Sequence, residues 1–166
     1  IVQASNPVGL LPNEGWSQYL DQGLVDEYGF SYDPEQARAI LANAGYADTD
    51  GDGFVETPGG EPIELSVIVP FGWTDWMESI NVIAASAQAV GINVKTDFPD
   101  FGGYQDQLYG GSFDMAINNF GSGASNTVWT YYDWLFRHPI NDQMTNGNFG
   151  RYDNQEVFDL VDQLDK

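Results

Sequence analysis

The chain contains no cysteine. That excludes a disulfide framework, a thiolate zinc site and a cysteine nucleophile, and leaves the redox compartment open. Basic residues are nearly as scarce: 5 lysines and arginines stand against 25 acids, a formal net charge of −20. A field of that sign repels nucleic acid and anionic membrane surfaces, so neither is expected as a partner. No apolar run approaches the roughly 20 residues that span a bilayer, and the first residues show no basic region of a signal peptide. The single histidine, His138, stands in Arg137-His138-Pro139 beyond an expected helix end, where a cation caps free carbonyls. Also missing are Gly-x-Ser-x-Gly, a Walker loop and His-Glu-x-x-His, the parts that serine hydrolase, P-loop and zincin chemistry require.

What remains is ample material for a core. With 166 residues, 42% apolar and 14% aromatic, the chain reads as a single domain over 1–166. Its acids are spread over both halves, as on a solvated surface. It starts at Ile1 without methionine and stops at Lys166 inside an expected helix, so it is expected to be an excised piece of a longer protein.

Residues 1–32 read as irregular and turn-rich. Asp33-Pro34-Glu35-Gln36 then supplies an N-cap, a first-turn proline and a capping-box glutamine, with Ala37, Ile40, Leu41 and Ala44 as an apolar stripe ended by Gly45. Alternating apolar residues over 63–69 predict a strand. Asp75 with Glu78 is expected to cap the next helix, whose apolar positions Trp76, Ile80, Ile83, Ala84, Ala87 and Val90 recur at helical spacing until Gly91. A strand over 92–98, a short helix over 104–109, a strand over 113–117, a helix over 127–136 and a last helix opened by Asp153 and Glu156 complete the order. Strand, helix, strand, helix, strand argues for right-handed βαβ crossovers and parallel pairs.

In an open α/β sheet, ligands bind at the carboxyl ends of the strands. Two turns are expected there. One is Val69-Pro70-Phe71-Gly72-Trp73-Thr74-Asp75-Trp76; the other is Asn118-Asn119-Phe120-Gly121-Ser122-Gly123. Exposed tryptophan at such an edge points to a ligand platform or a covered interdomain surface. Sugar rings pack their C–H faces on aromatic side chains, and their hydroxyls need amide and carboxylate partners. Phe71, Gly72, Trp73, Trp76, Asn118, Asn119, Phe120, Asn126 and Trp129 are therefore the candidate ligand-binding residues. Trp76 and Trp134 also fit a core role by their helical spacing, whereas Trp73 lies off the stripe and reads as ligand contact.

A second candidate is the loop Asp48-Thr49-Asp50-Gly51-Asp52-Gly53-Phe54-Val55-Glu56, whose Asp48, Asp50, Asp52 and Glu56 open like an EF-hand calcium loop. Position twelve, where a bidentate glutamate belongs, is Gly59. A tight acidic turn leading into a hairpin explains the same letters and is the favoured reading, so no cofactor beyond a possible structural calcium is expected. A glycosidase needs two carboxylates across a cleft, and Asp75, Asp97, Asp100 and Asp114 lie near expected strand ends. Among 25 acids such a pairing means little.

Five stretches in order carry a resemblance: Tyr32-Asp33-Pro34-Glu35-Gln36-Ala37; Ala44-Gly45-Tyr46 with Asp50-Gly51-Asp52-Gly53; Gly91-Ile92-Asn93-Val94; Gly111-Ser112-Phe113-Asp114-Met115-Ala116; and Asn148-Phe149-Gly150-Arg151-Tyr152-Asp153-Asn154. Together they resemble family 5 extracellular solute-binding proteins, the receptors of ABC importers. The resemblance implies the later lobe of a type II periplasmic-binding-protein-like α/β fold, a mixed sheet with βαβ crossovers flanked by helices. It implies a missing first lobe of the same chain, a membrane permease as partner, and a periplasmic or lipid-anchored extracellular location. It also implies binding without turnover. The Gly72-Trp73-Thr74-Asp75-Trp76 turn is similar to that of members importing oligosaccharides, with an oligopeptide as the alternative ligand. The rival class is a carbohydrate-active enzyme or a stand-alone sugar-binding module.

Overall fold

The computed structural model describes residues 21–29, 31–119 and 128–164. Its centre is a three-stranded sheet of β1 (Glu64–Ile68), β2 (Asn93–Asp97) and β3 (Met115–Ala116), ordered β2-β1-β3. Both pairings are parallel, with Glu64 opposite Asn93 and Val67 opposite Met115. The expected mixed sheet is thus represented among the described residues by its parallel pairs. Parallel neighbours need crossovers, and these are α3 (Thr74–Gln88) between β1 and β2 and α4 (Phe101–Gly110) between β2 and β3.

The helices cover opposite faces of β1. Val67 and Val69 pack with Ile80, Ala84 and Val94 on the α3 side, whereas Ile68 packs with Tyr104 and Leu108 on the α4 side. A strand buried on both faces reads as a near-continuous apolar run, which is why Ile68 interrupts the alternation expected of a one-sided strand. Fully burying side chains such as Ile68, Val69 and Ile80 stabilises the fold by about 1.5–3 kcal/mol each.

Several boundaries differ from expectation. Helix α1 (Gln22–Tyr28) forms within the stretch read as irregular, because the Asp21 carboxylate accepts the Gly23 and Leu24 amides. Helix α2 (Pro34–Asn43) is capped by Asp33 as expected, its carboxylate accepting from the Gln36 amide at 2.9 Å, and Gly45 follows it at φ +87°. Its apolar stripe, however, is not fully buried, and Ile40 stays exposed. Asp75 does not cap α3: the N-cap is Trp73, without a side-chain bond, and Asp75 sits in the first turn, where its charge favours the positive helix end. Asp100, whose carboxylate accepts from the Gly103 amide at 2.8 Å, starts α4 three residues before the expected 104.

The carboxyl-terminal part packs α5 (Val128–Tyr132), a π-helical turn (Asp133–Arg137) and α6 (Gln155–Leu164) together. Asn154, rather than Asp153, opens α6, its carbonyl oxygen accepting from the Glu156 and Val157 amides. Among the described residues His138 caps no free carbonyl; its imidazole lies 3.5 Å from Asp133 and edge-on to Trp134. Between the π turn and α6 the backbone is held by Asn148, which is 2% exposed. Its amide donates to the His138 and Tyr152 carbonyls at 2.9 and 3.0 Å, and its oxygen accepts from the Tyr152 N–H at 2.8 Å.

Gly147 takes φ +105° with the Trp134 carbonyl directly against the place a Cβ would occupy, whereas Gly60 takes φ +81° in open space. Gly147→Ala therefore adds a steric clash to left-handed strain and should cost about 3 kcal/mol or more, against about 1–2 kcal/mol for Gly60→Ala. Urea unfolding of the two variants checks the difference; equal losses would mean that the Trp134 contact is not rigid.

Candidate ligand cleft at the sheet edge

All three strands end at one edge, and the pairing runs on beyond them. The Val69 amide donates to the Asp97 carbonyl at 3.3 Å, the Phe71 amide to Pro99 at 2.7 Å, and the Ile117 amide to Ile68 at 3.3 Å. Pro70, fully buried, ends β1 and Gly72 reverses the chain at φ +89°, which delivers Trp73 to the start of α3. The Trp73 ring stacks on Phe101 at 5.9 Å and 23°, and meets Trp76 edge-on at 4.8 Å and 73°. Both are favourable aromatic arrangements.

Beside this ring lies a cleft of about 190 Å³. Trp73 comes from the turn after β1 and Asn118 and Asn119 from the turn after β3, so the two expected turns do meet. Helix α4 adds Phe101, Tyr104, Gln105, Leu108 and Tyr109, and Trp134, Thr145 and Phe149 close the far side. Phe149 stacks on Tyr109 at 6.1 Å and meets Trp134 edge-on at 6.1 Å. No described residue lining the cleft carries a formal charge at neutral pH.

The remaining candidates sit elsewhere. Trp76 packs half-buried against the α3-side core, as its spacing implied, and backs Trp73. Phe71 is 70% exposed at the edge, outside the cleft. Trp129 is half-buried on α5 and does not line the cleft; its indole N–H is buried without an acceptor among the described residues. Phe120 and Asn126 lie outside the described residues. Trp134, read as core, instead lines the cleft, because the π turn rotates it toward Phe149. The contribution of α4 had a usable signal: once Asp100 is seen as the cap, Phe101, Tyr104, Gln105 and Leu108 fall at i, i+3, i+4 and i+7.

None of the carboxylates considered for sugar hydrolysis reaches the cleft. Asp100 caps α4, Asp114 accepts from the Ser66 amide and hydroxyl at 2.8 and 2.9 Å, Asp97 ends β2 and Asp75 lies in the first turn of α3. In the acidic loop, ligand oxygens of Asp48, Asp50, Asp52 and Glu56 lie within 4.8 Å of one another. Each already accepts protein donors: Asp48 from the Gly51 and Gly53 amides, Asp50 from Asp52, Asp52 from Phe54, and Glu56 from the Thr49 amide and hydroxyl. Glu56 also bridges antiparallel to Ala47 and Pro62, which makes the loop a hairpin base.

A parallel α/β unit with an aromatic cleft at the strand ends has its cleft where open α/β sheets bind ligands. The family model of bacterial extracellular solute-binding proteins, family 5, middle part, matches residues 4–142. The chain belongs to that family. Among solved structures it is similar to a periplasmic oligopeptide-binding protein of an oligopeptide ABC transporter from Thermotoga maritima, at 47% identity. For that protein's mannohexaose-bound form the TM-score is 0.88, over 96% of this chain and 30% of the other. A second structure of it gives 0.90, over 98% and 31%. The oligopeptide-binding protein AppA from Bacillus subtilis, in complex with a nonapeptide, shares the fold at 24% identity and a TM-score of 0.59, over 78% of this chain and 25% of that one. The chain thus spans about a third or less of these relatives' length. No curated protein matches it.

Tyr104, 3% exposed, donates its hydroxyl to the Ile117 carbonyl at 2.7 Å, tying α4 to the end of β3 under the cleft. Burial, with a smaller contribution from Tyr109, pushes its pKa up to about 12. The folded chain therefore keeps a proton that the unfolded chain releases near pH 10, so this contribution to stability is complete below about pH 10 and is lost as pH rises toward 12. Tyr104→Phe should flatten that alkaline loss of stability and remove the last-titrating tyrosinate absorbance; unchanged alkaline melting would refute the assignment.

Proposed function

We propose that this chain is one lobe of a solute receptor of an ABC importer, working outside the cytoplasmic membrane, and that its cleft takes an uncharged oligosaccharide. The observation that carries the ligand class is the lining: aromatic rings, amides and hydroxyls, with no charge, in a chain of net charge −20. Aromatic faces suit the C–H faces of pyranose rings. Asn118, Asn119 and Gln105 each supply donor and acceptor together, as vicinal hydroxyls require.

An oligopeptide is the competing ligand, and its termini are charged. Three of the four described lysines and arginines pair with carboxylates, Arg38 with Glu35, Lys95 with Glu64 and Arg137 with Asp133 and Asp162, while Arg151 donates through Nη2 to the Tyr109 and Asp142 carbonyls and keeps Nη1 buried without a partner among the described residues. None of the four lines the cleft, where a peptide carboxylate would need one. The Thermotoga maritima relative, although named as an oligopeptide-binding protein, was crystallised with mannohexaose, which supports the sugar reading.

The cleft is smaller than the roughly 300–1,000 Å³ of complete ligand pockets, as expected of a surface that supplies one side of a site. Closure of a second lobe over it completes the burial, and the closed state is the one a permease would read through its differential affinity for ligand. The acidic loop serves this reading as a turn: with its carboxylates satisfied by backbone donors, calcium should leave the melting temperature where a chelator leaves it. A calcium-dependent rise would place an ion there.

Tryptophan fluorescence of the full-length protein, titrated with oligosaccharides and oligopeptides, tests the main proposal. A saturable change with an oligosaccharide, without cleavage, is expected. Trp73→Ala should weaken it by about 2 kcal/mol, roughly 30-fold. A response to peptides alone would overturn the ligand class, and sugar cleavage would overturn the receptor reading.

A further inference from the structure

Next to the aromatic cleft lies a second pocket of about 150 Å³, formed by the loop from His138 to Gly147. Thr145 lines both, so the two hollows adjoin at that residue. Resting on the oligosaccharide reading above, we propose that this second pocket is a further sugar subsite, filled by the next ring of a chain whose first ring stacks in the aromatic cleft.

The loop is built to hold a fixed polar surface. The Met144 amide donates to the Tyr109 carbonyl at 2.8 Å, and Met144 itself is 2% exposed. At the other end Gly147 is pressed on Trp134, and the Asn148 amide donates to the Trp134 carbonyl at 2.7 Å. Tyr109 and Trp134 are both walls of the aromatic cleft, so the same two residues that shape the first hollow anchor the second. The distance between them is therefore set by packing rather than by a floppy loop.

The exposed side chains between the anchors are the right kind. Gln143, Thr145 and Asn146 make no side-chain hydrogen bond among the described residues, while Asn141 spends one amide proton on the Pro139 carbonyl at 2.9 Å. Two free amides and a hydroxyl offer donors and acceptors in pairs, the requirement of a polyol rather than of an ion or an apolar group. No described carboxylate lines this pocket either, although Asp142 belongs to the same loop. The division of labour follows from the linings: aromatic rings hold one ring by its face in the first hollow, and amides read hydroxyls in the second. Ligand length, rather than ring identity alone, then sets affinity.

Calorimetry of the full-length protein with the series from mannose to mannohexaose, and with glucose and the matching cello-oligosaccharides, tests this. Affinity should climb with length and then level once the second pocket is filled. In Gln143→Ala and Asn146→Ala, both at exposed positions where truncation spares the fold, the disaccharide and longer sugars should bind about tenfold more weakly and the monosaccharide as before. Length dependence that survives both substitutions would overturn the subsite while leaving the cleft assignment standing. So would an equal loss for the monosaccharide. If neither sugar series binds the unaltered protein, the cleft reading falls and takes the subsite with it.

Discussion

The site depends on β1 being the middle strand of a wholly parallel trio. Because β2 and β3 run the same way on either side of it, all three chains leave the sheet at one edge, and the turns after β1 and β3 cannot avoid each other. The crossovers that parallel pairing demands put α3 and α4 on opposite faces. Val67 and Val69 are committed to one helix and Ile68 to the other, so a slip of one residue would exchange the two cores. The position of Trp73 relative to Asn118 is thus a consequence of strand register, fixed far from either side chain.

Charge is distributed so as to leave that edge neutral. The acids near it are occupied with backbone work: Asp100 closes the first turn of α4, Asp114 holds β1 through Ser66, and Asp75 complements the α3 dipole. Surface repulsion among the rest costs some stability, but solvent and salt screen it over about 10 Å. A carboxylate inside the aromatic cleft would be costlier, since there it loses water without gaining a cation. Neutrality of the lining is a physical economy before it is a specificity.

The alternation of strand and helix, the Asp33 cap, the glycine stops at Gly45 and Gly91 and the convergence of Trp73 with Asn118 were all legible in the residues, because each rests on local periodicity or local turn chemistry. The two families of error have different causes. Local spacing puts caps at Asp75 and Asp153, whereas the chain gives them to Trp73 and Asn154, since a carboxylate one or two residues away fits the same motif and only the backbone decides. The far wall of the cleft was illegible for a deeper reason. Trp134, Thr145 and Phe149 reach it through a π turn and through Asn148 and Arg151 at φ +46° and +52°, conformations that side-chain patterns do not announce. The Arg151 guanidinium, pressed over Gly111 and bonded to the Tyr109 carbonyl, helps hold that unusual backbone against α4.

Strain of this kind has a use when the surface it supports must not move. A half-exposed tryptophan costs little to keep in water and binds well only if its ring is already oriented, since ordering a loose side chain on binding costs about 0.5–1.5 kcal/mol. Trp73 is held by Phe101 beneath and Trp76 behind; Phe149 is held between Tyr109 and Trp134. The left-handed residues at 147, 148 and 151 act one step further back, because they fix Phe149 by fixing its backbone. On the receptor reading proposed above, so rigid a face assigns the motion that captures a ligand to the hinge rather than to the cleft. The ligand's affinity is then spent on closing the receptor instead of on arranging its walls.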